Sequence, residues 1–326
     1  MASAPSNSKN FWRLDEYDKL YWENYLAARP DYTPSNFYDT LYSYHDPHSA
    51  CYDVAHDIGA GPGQVANVIA SRFNHVIASD ANETHLAAAR HHNSVRSNIE
   101  FMLCPGEKVA ASVPRASCDA IFCAEAIPLM DKERAITGFA KMLKPNGTLA
   151  VWFYGRPLFT DGNREACQAI YAKVFNTKAA KMLQGNSPEF RAGWKHGIDT
   201  IASWLDNVEF PAETWKDVER RKWNTHTKIE FNDQEAMLGL PIEVASNIDH
   251  KRERIMEIRD EKFWARSWNV GEVCNFIEAL LPTNHAELDQ DPEIQGRFEE
   301  LSEAMGGEEA RRAISWPAVL LLATKK

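Results

Sequence analysis

A glycine-rich turn between two apolar segments constrains the fold of this chain more than any other feature. Residues 51–80 read C-Y-D-V-A-H-D-I-G-A-G-P-G-Q-V-A-N-V-I-A-S-R-F-N-H-V-I-A-S-D, a pattern of strand, turn, helix and strand. The turn has the spacing D-x-G-x-G-x-G, which is formed by Asp57, Gly59, Gly61 and Gly63. Glycine lets the backbone turn sharply and approach a ligand without a Cβ in the way. The stretch therefore predicts an open α/β sheet with a ligand at the turn.

The residues around this turn indicate a ligand that contains adenosine. A helix that begins near Gln64 points its free N–H groups toward such a ligand. Asp80 follows Gly63 by 17 residues and ends the next predicted strand, where a carboxylate accepts hydrogen bonds from ribose hydroxyls. A dinucleotide-binding turn has the spacing G-x-G-x-x-G, and here the third glycine comes one residue sooner.

The D-x-G-x-G-x-G turn resembles the first motif of the class I S-adenosylmethionine (SAM) methyltransferases. Residues 143–152, L-K-P-N-G-T-L-A-V-W, are similar to the turn and fifth strand of the same family. The resemblance implies an α/β fold with a seven-stranded, mostly parallel Rossmann-like sheet and helical lid insertions. It places the final strand, within residues 314–326, antiparallel beside the fifth. It also implies SAM as cofactor and S-adenosylhomocysteine as product, with Asp80 on the ribose.

A second resemblance extends toward the N-terminus. Residues 24–32, N-Y-L-A-A-R-P-D-Y, are similar to the Y-x-x-x-R-P-x-Y-P segment of the trans-aconitate methyltransferase group, which closes over SAM. Tyr25, Arg29 and Tyr32 are therefore expected near the cofactor. The family pattern implies four further cofactor contacts, at Ala81, Glu107, Ala124 and Glu125. For Glu107, expected near the adenine amine, a surface charge is the alternative.

The chain is predicted to divide into four segments. Residues 1–48 form an aromatic helical cap, and residues 49–154 form the SAM-binding core. Residues 155–213 form a helical lid insertion over the carboxyl edge of the sheet. Residues 214–326 complete the core with a sixth strand near 215–223, a helical block over 248–281 and the final strand.

Two departures from the trans-aconitate group concern the methyl acceptor. Residues 127–130 read I-P-L-M where the group has A-H-W-F. Where the group has several arginines, residues 193–202 read G-W-K-H-G-I-D-T-I-A, with only Lys195 and His196 as positive candidates. Arginine clamps carboxylates in a bidentate manner. Its absence favours a larger, more apolar acid or a phenol over a tricarboxylate. Ile127, Trp194 and Trp268 are predicted to contact the acceptor, with core packing as the alternative for both tryptophans.

The predicted function is SAM-dependent O-methylation of a carboxyl or hydroxyl group on a small or medium-sized organic acid, with specialised metabolism as one setting. A carboxylate needs no base, whereas a phenol or alcohol does. His196, His226 and Glu125 are the candidates for that base, and structural or exposed roles are the alternative for each. Two other functions remain open: a SAM-binding regulatory protein without turnover, and an enzyme that catalyses a rearrangement.

Composition limits the partners and the compartment. The net charge is −10, with 36 Lys and Arg against 46 Asp and Glu, which argues against a nucleic-acid partner. The six cysteines form no C-x-x-C pair and are expected to be reduced. His85, His91 and His92 are assigned to an exposed helix face, so no metal is expected. Without a signal pattern or a long apolar run, the chain is predicted to be cytoplasmic, off the membrane, and a monomer or homodimer.

Overall fold

The computed structural model describes residues 19–33, 37–226, 241–281 and 291–326. The first 18 residues of the predicted N-terminal cap lie outside these ranges. The described strands are β1 (Val54–Ile58), β2 (His75–Asp80), β3 (Ile99–Leu103), β4 (Cys118–Ala124), β5 (Leu143–Tyr154), β6 (Leu158–Phe159), β7 (Trp215–Trp223), β8 (Arg254–Ile258), β9 (Arg266–Trp268), β10 (Arg312–Ser315) and β11 (Ala318–Lys325).

The described helices alternate with the first five strands and then form the additions to the core. They are α1 (Lys19–Ala28), α2 (Phe37–His45), α3 (Gln64–Ile69), α4 (Glu83–His92), α5 (Lys132–Met142), α6 (Arg164–Gln184), α7 (Pro188–Ala202), α8 (Val270–Leu280) and α9 (Pro292–Met305). Short 3-10 helices span Gly106–Ala111 and Ile127–Leu129. Residues 155–213 contain α6 and α7 after the short strand β6, and their role as a lid stays a prediction.

The main sheet has the order β3-β2-β1-β4-β5-β11-β7-β8. The pairs among the first five strands are parallel. Central strand β4 is buried at six of its seven positions, because helices cover both faces of a sheet of this kind. The final strand β11 is antiparallel to β5, as the resemblance implied. The α/β, Rossmann-like fold is therefore confirmed.

The predicted strand number and part of the C-terminal pattern were wrong. The sheet has eight strands rather than seven, because β8 lies parallel to β7 at the edge of the sheet. The stretch 248–281, expected to be helical, contains β8 and β9 before α8 begins. A buried ion pair lies beside the added strand: the side chain of Arg220 in β7 donates to Glu253, the residue before β8, at 2.5 Å.

Three short strands form a second sheet, in the antiparallel order β6-β10-β9. Helix α1 packs against α8, and α9 packs against α6. Helix α7 packs on the 3-10 helix Ile127–Leu129, which directly follows the carboxyl end of β4. In an open α/β sheet, ligands bind outside the carboxyl ends of the strands. The fold therefore brings α7 to the edge where the glycine-rich turn also lies.

Candidate cofactor and acceptor site

The three glycines of the turn after β1 all have a left-handed backbone, with φ of +71° at Gly59, +54° at Gly61 and +79° at Gly63. A Cβ at Gly59 would lie 2.3 Å from Cβ of Ala126, and one at Gly63 would lie 2.5 Å from Nδ2 of Asn93. A Cβ at Gly61 would meet nothing within 4 Å. Two glycines are thus required for packing, whereas Gly61 faces open space.

Asp80 connects this turn to the end of β2. Its Oδ2 accepts a hydrogen bond from the Gly61 N–H at 2.9 Å, and its Oδ1 accepts one from the Asn82 N–H at 2.9 Å. The carboxylate therefore lies beside the open face of Gly61. A nucleoside ligand fits this arrangement, because the turn leaves room for it and the carboxylate can accept from ribose hydroxyls.

Asp57 links the end of β1 to the first turn of α3. It is buried, and its Oδ2 accepts a hydrogen bond from the Ala66 N–H in the first turn of α3 at 2.9 Å. A carboxylate is favourable at a helix N-terminus, where N–H groups lack intrahelical partners. Burial nevertheless raises the pKa of Asp57 to about 7. In this structure, the contact that Asp57 makes is with the protein backbone.

A hydrogen-bonded cluster joins α1 to the carboxyl ends of β4 and β5. Arg29, just after α1, donates from Nε to the Tyr154 hydroxyl and from Nη1 to the Tyr25 hydroxyl. Its Nη2 lies 3.4 Å from Oε2 of Glu125. Arg29 and Tyr154 are buried, and Tyr25 and Glu125 are half-buried. These contacts bring together three of the predicted cofactor residues. Tyr32 interacts electrostatically with the same Arg29 and Glu125.

Glu125 occupies a strained position directly after β4. Its φ is +59°, a region that non-glycine residues adopt at a cost of roughly 1–3 kcal/mol. The Tyr154 N–H donates to Oε1 at 2.7 Å, and the Glu125 N–H donates to the Trp152 carbonyl at 2.8 Å. Burial raises the pKa of Glu125 to about 8, although the Arg29 guanidinium opposes the shift. These contacts hold a carboxyl group at the carboxyl edge of the sheet.

The other predicted cofactor residues surround this edge. Ala81 is exposed immediately after β2, and Ala124 is half-buried at the end of β4. Glu107 is half-buried in the 3-10 helix that follows β3. All three thus lie close to the carboxyl ends of their strands. Their contact with SAM stays a prediction.

The predicted acceptor residues occupy two different environments. Ile127 is buried in the 3-10 helix under α7, and Trp194 is a half-buried residue of α7 that packs on the core. Trp268 is 4% exposed in β9, where its ring packs edge-on against Trp316 with centroids 5.0 Å apart. Ile127 and Trp194 therefore belong to elements in contact, whereas Trp268 belongs to the small sheet.

The three base candidates also differ in position. His196 is exposed on α7, and its Nε2–H donates to the Met130 carbonyl at 3.3 Å. His226 is exposed in the turn after β7. Of the three, Glu125 is the one that follows β4 directly, next to Ala126, whose Cβ faces Gly59 of the turn, and it is half-buried. A general base must lie within hydrogen-bond reach of the proton that it takes.

Three further residues at this edge were not predicted from the sequence. Tyr154 accepts from Arg29 at the end of β5. Arg156 follows it, is 6% exposed and has its guanidinium carbon 3.8 Å from the centre of the Phe175 ring. His85 was expected on an exposed helix face, which was wrong: it is 9% exposed and its Nδ1 lies 3.2 Å from Asp80 Oδ1. The available signal was its place in the first turn of α4, only five residues after Asp80, which keeps the two side chains within reach of each other.

One group with ligand-like spacing lies at the opposite end of the sheet. Among the described residues, Cys51, Asp53 and Asp119 approach one another at the amino ends of β1 and β4. Lys144 donates to Oδ1 of Asp119 at 2.7 Å, so that carboxylate already has a cationic partner. The prediction that no metal is bound is not tested by this arrangement. Within the part of the chain that the structure describes, no helix has the length and apolar character needed to cross a bilayer.

Comparison with known proteins agrees with this geometry. A family model described as a methyltransferase domain matches residues 56–151. Methyltransferase pgmE of Aspergillus terreus is 42% identical over 330 residues, covering 98% of each chain. Methyltransferase cfoB of Aspergillus candidus is 41% identical, covering 95% of this chain and 96% of its own. Methyltransferase ptaI of Pestalotiopsis fici is 34% identical, covering 94% and 93%.

A solved structure shows the same fold. The protein from Anaeromyxobacter dehalogenans, named as a type II methyltransferase, matches with a TM-score of 0.50 and 15% identity. The match covers 87% of this chain and 94% of that one. SAM is the cofactor of this family, and the turn around Gly61 and Asp80 fits it. The chain therefore belongs to the class I SAM-dependent methyltransferases.

Proposed function

We propose that this methyltransferase transfers a methyl group to an oxygen of an organic acid that has a substantial apolar portion. The observation that supports this best is the wall after β4. Residues 127–130 are apolar, and α7 packs over them. Lys195 of α7, one of the two cations expected near the acceptor, is already paired with Asp199 at 2.6 Å and with Glu243 at 3.5 Å. A tricarboxylate needs several cations available for it.

Arg156 supports the acidic part of the proposal. It is a buried cation two residues beyond β5, and its Nη2 donates to Asn176 at 3.0 Å. A guanidinium has five N–H donors in a planar fork that matches a carboxylate. One carboxylate held there and an apolar body against Ile127 and Trp194 describe the proposed acceptor.

The chain's own residues orient the reactants. SAM supplies an electrophilic methyl carbon on its sulfonium centre. We assign Gly61 to close approach of the backbone and Asp80 to the ribose hydroxyls. Tyr25, Arg29, Ala81, Glu107, Ala124 and Glu125 complete the proposed cofactor set, with Asp57, Gly59 and Gly63 holding the turn. Helix α1 and the insertion of α6 and α7 exclude water, which favours an in-line displacement.

The proton balance depends on the acceptor oxygen. A carboxylate attacks the methyl carbon directly, the carbon–sulfur bond breaks, and the bonding electrons stay on sulfur. No proton moves in that case. A hydroxyl acceptor also loses its proton, and Glu125 is the group that we assign to take it. Its half-buried carboxyl has a pKa raised to about 8, so the ionised fraction that can take the proton grows as pH rises toward 8.

We also propose a metabolic role and a cellular location for this activity. The relatives reported above are fungal methyltransferases, which supports a small acceptor from specialised metabolism. The acidic charge of −10 favours a small molecule over nucleic acid. We place the enzyme in the cytoplasm as a monomer or homodimer.

Incubation with methyl-labelled SAM and a panel of acids, phenols and amines tests the proposal. Mass spectrometry of the products should show a methyl ester or methyl ether on an acid with a large apolar part. If trans-aconitate were the best acceptor of the panel, the apolar part of the proposal would be wrong. Methylation at nitrogen alone would exclude the oxygen part, and binding of SAM without any product would favour a regulatory scaffold.

A further inference from the structure

Three elements meet at the imidazole of His85. The residue lies in the first turns of α4, and its Nδ1 is 3.2 Å from Oδ1 of Asp80 at the end of β2. On its other side, the Trp22 ring of α1 packs edge-on, with ring centroids 5.1 Å apart and an interplanar angle of 81°. Trp22 is 8% exposed and His85 is 9% exposed. The imidazole therefore bridges α1 and the carboxylate beside the glycine-rich turn.

We propose that His85 is a positioning residue for cofactor binding. It holds the Asp80 carboxylate in the orientation that the ribose hydroxyls require, and through Trp22 it links that carboxylate to the docking of α1. This inference rests on the ribose role proposed for Asp80. It extends that role to a residue and a helix that do not themselves contact the ribose.

The contacts of Asp80 explain why an additional group matters. A carboxylate offers about four acceptor positions, two on each oxygen. The Gly61 N–H takes one on Oδ2, the Asn82 N–H takes one on Oδ1, and His85 faces Oδ1. The position that remains is on Oδ2, the oxygen beside Gly61. Contacts at both oxygens restrain rotation of the carboxylate, so that this position faces the open space of the turn.

Helix α1 and the residue after it contact both ends of the proposed cofactor site. At one end of the site it packs Trp22 against His85, and at the other Arg29 reaches Glu125 and Tyr154. One helix thus contacts groups next to the ribose carboxylate and next to β4. If SAM binding and docking of α1 depend on each other, the coupling is reciprocal. Removing the imidazole then weakens SAM binding and loosens α1 together.

The test compares His85→Ala with His85→Asn and with His91→Ala. Asparagine keeps a short polar group near the place of Nδ1, and His91 is an exposed residue of the same helix. Calorimetry with SAM and steady-state kinetics give the dissociation constant, KM for SAM and kcat. We expect His85→Ala to weaken SAM binding and raise its KM roughly tenfold, the size of one lost contact to a charged group. The value of kcat at saturating SAM should stay within about twofold, because the contacts of the imidazole are with Asp80 and Trp22 and not with the residues proposed for the acceptor.

SAM binding by His85→Asn and hydrogen exchange in α1 provide two further measurements. His85→Asn should recover most of the affinity, and His91→Ala should bind SAM as the wild type does. Hydrogen exchange should show faster exchange in α1 for His85→Ala and for Trp22→Ala. In the double variant of these two, the loss of affinity should be smaller than the sum of the separate losses.

Each contrary outcome has a distinct meaning. Normal SAM binding in His85→Ala, with weak binding in Asp80→Ala, would overturn the inference and leave the proposed role of Asp80 intact. Normal binding in Asp80→Ala would remove that role and the inference with it. A lower melting temperature with equal loss of kcat and affinity, unrelieved by asparagine, would make His85 only a packing residue and also overturn the inference.

Discussion

The Gly61 N–H donates to Oδ2 of Asp80 at 2.9 Å, which joins the turn after β1 to the end of β2. The two residues are 19 positions apart in the chain. The hydrogen bond fixes the glycine-rich turn around the same carboxylate that is proposed to bind the ribose. Changes at either residue should therefore weaken cofactor binding, and a side chain at Gly61 should also strain the backbone, because its φ is +54°.

This relationship leads to a prediction about SAM affinity. Asp80→Ala removes the acceptor for ribose hydroxyls, and Gly61→Val places methyl groups where the cofactor approaches. We expect calorimetry to show at least about a tenfold loss of SAM affinity in both variants, because Asp80→Ala loses a contact worth about 1.4 kcal/mol or more and Gly61→Val fills the space beside Asp80. Gly307→Val is the control, since Gly307 follows α9, also has a positive φ of +111°, and its Cβ also meets nothing within 4 Å. Wild-type affinity in both Asp80→Ala and Gly61→Val would remove the assigned cofactor roles.

Substitution of Gly59 should mainly reduce the stability of the fold. Its Cβ would lie 2.3 Å from Cβ of Ala126, and its φ of +71° is unfavourable for alanine. Gly59→Ala should lower the free energy of unfolding by about 2–4 kcal/mol through overpacking and strain. Denaturant unfolding measures this, with Gly61→Ala as the variant that has only the strain. Equal destabilisation of the two would contradict the geometry of the turn.

The parts of the fold that could be predicted depend on local chemistry. The spacing of Gly59, Gly61 and Gly63 predicts the turn because each needs a left-handed backbone. The apolar run of β4 predicts a central strand because both of its faces are buried. By contrast, β8 is a short segment, R-I-M-E-I, at the edge of the sheet. Its pairing with β7 and the ion pair of Arg220 with Glu253 are contacts between distant segments, which no local pattern shows.

The site residues could likewise be predicted only in part from the sequence. Arg29, Tyr25 and Glu125 were predicted from a family resemblance, yet Tyr154 was overlooked although it bonds to Arg29 across 125 residues. His85 was assigned to an exposed helix face, whereas its imidazole contacts Asp80 of β2 and Trp22 of α1. Contacts of this kind arise when separate elements pack together. They become visible only once the three-dimensional arrangement is known.

The Arg220–Glu253 pair should be a major contributor to stability. Arg220 is fully buried, and it also donates to the carbonyls of Leu205 at 3.0 Å and Val208 at 2.7 Å. Glu253→Ala leaves its guanidinium without this carboxylate and should cost about 3–5 kcal/mol of unfolding free energy. The control is Arg254→Ala, which breaks an exposed pair with Glu219 and should cost under about 1 kcal/mol. A loss of unfolding free energy under about 1 kcal/mol in both variants would show that the buried pair contributes little to stability.

His56 should make the folded state sensitive to acid. It is buried in β1, its Nε2 lies 2.8 Å from the Ser79 hydroxyl, and burial lowers its pKa to about 3. Unfolded histidine has a pKa of about 6.5, so below that pH the unfolded state binds the extra proton. This group should therefore remove about 1.4 kcal/mol of stability per pH unit as pH falls from 6.5 toward 3.

Comparison with His56→Met isolates the effect, since the buried carboxyls of Asp57 and Glu125, whose pKa values are raised to about 7 and about 8, act in the opposite direction. The variant should lose less stability than the wild type between pH 6.5 and pH 5. His226→Met, at an exposed position, should follow the wild type. Parallel curves for wild type and His56→Met would refute the assigned titration.

Helix α1 should become more protected when both reactants are bound. It is held by the Arg29 cluster with Tyr25, Tyr154 and Glu125, all near the carboxyl edge. Hydrogen exchange with SAM and an acceptor analogue should show slower exchange in α1 and in the α6–α7 insertion of the wild type. Arg29→Met should lose the added protection of α1 by roughly tenfold or more, because local opening costs less when its anchoring contacts are removed. Arg164→Met, which breaks an exposed pair with Glu261, is the control and should keep it. If α1 and the insertion exchange at the same rate with and without the reactants, both are fixed packing elements and do not close over the site.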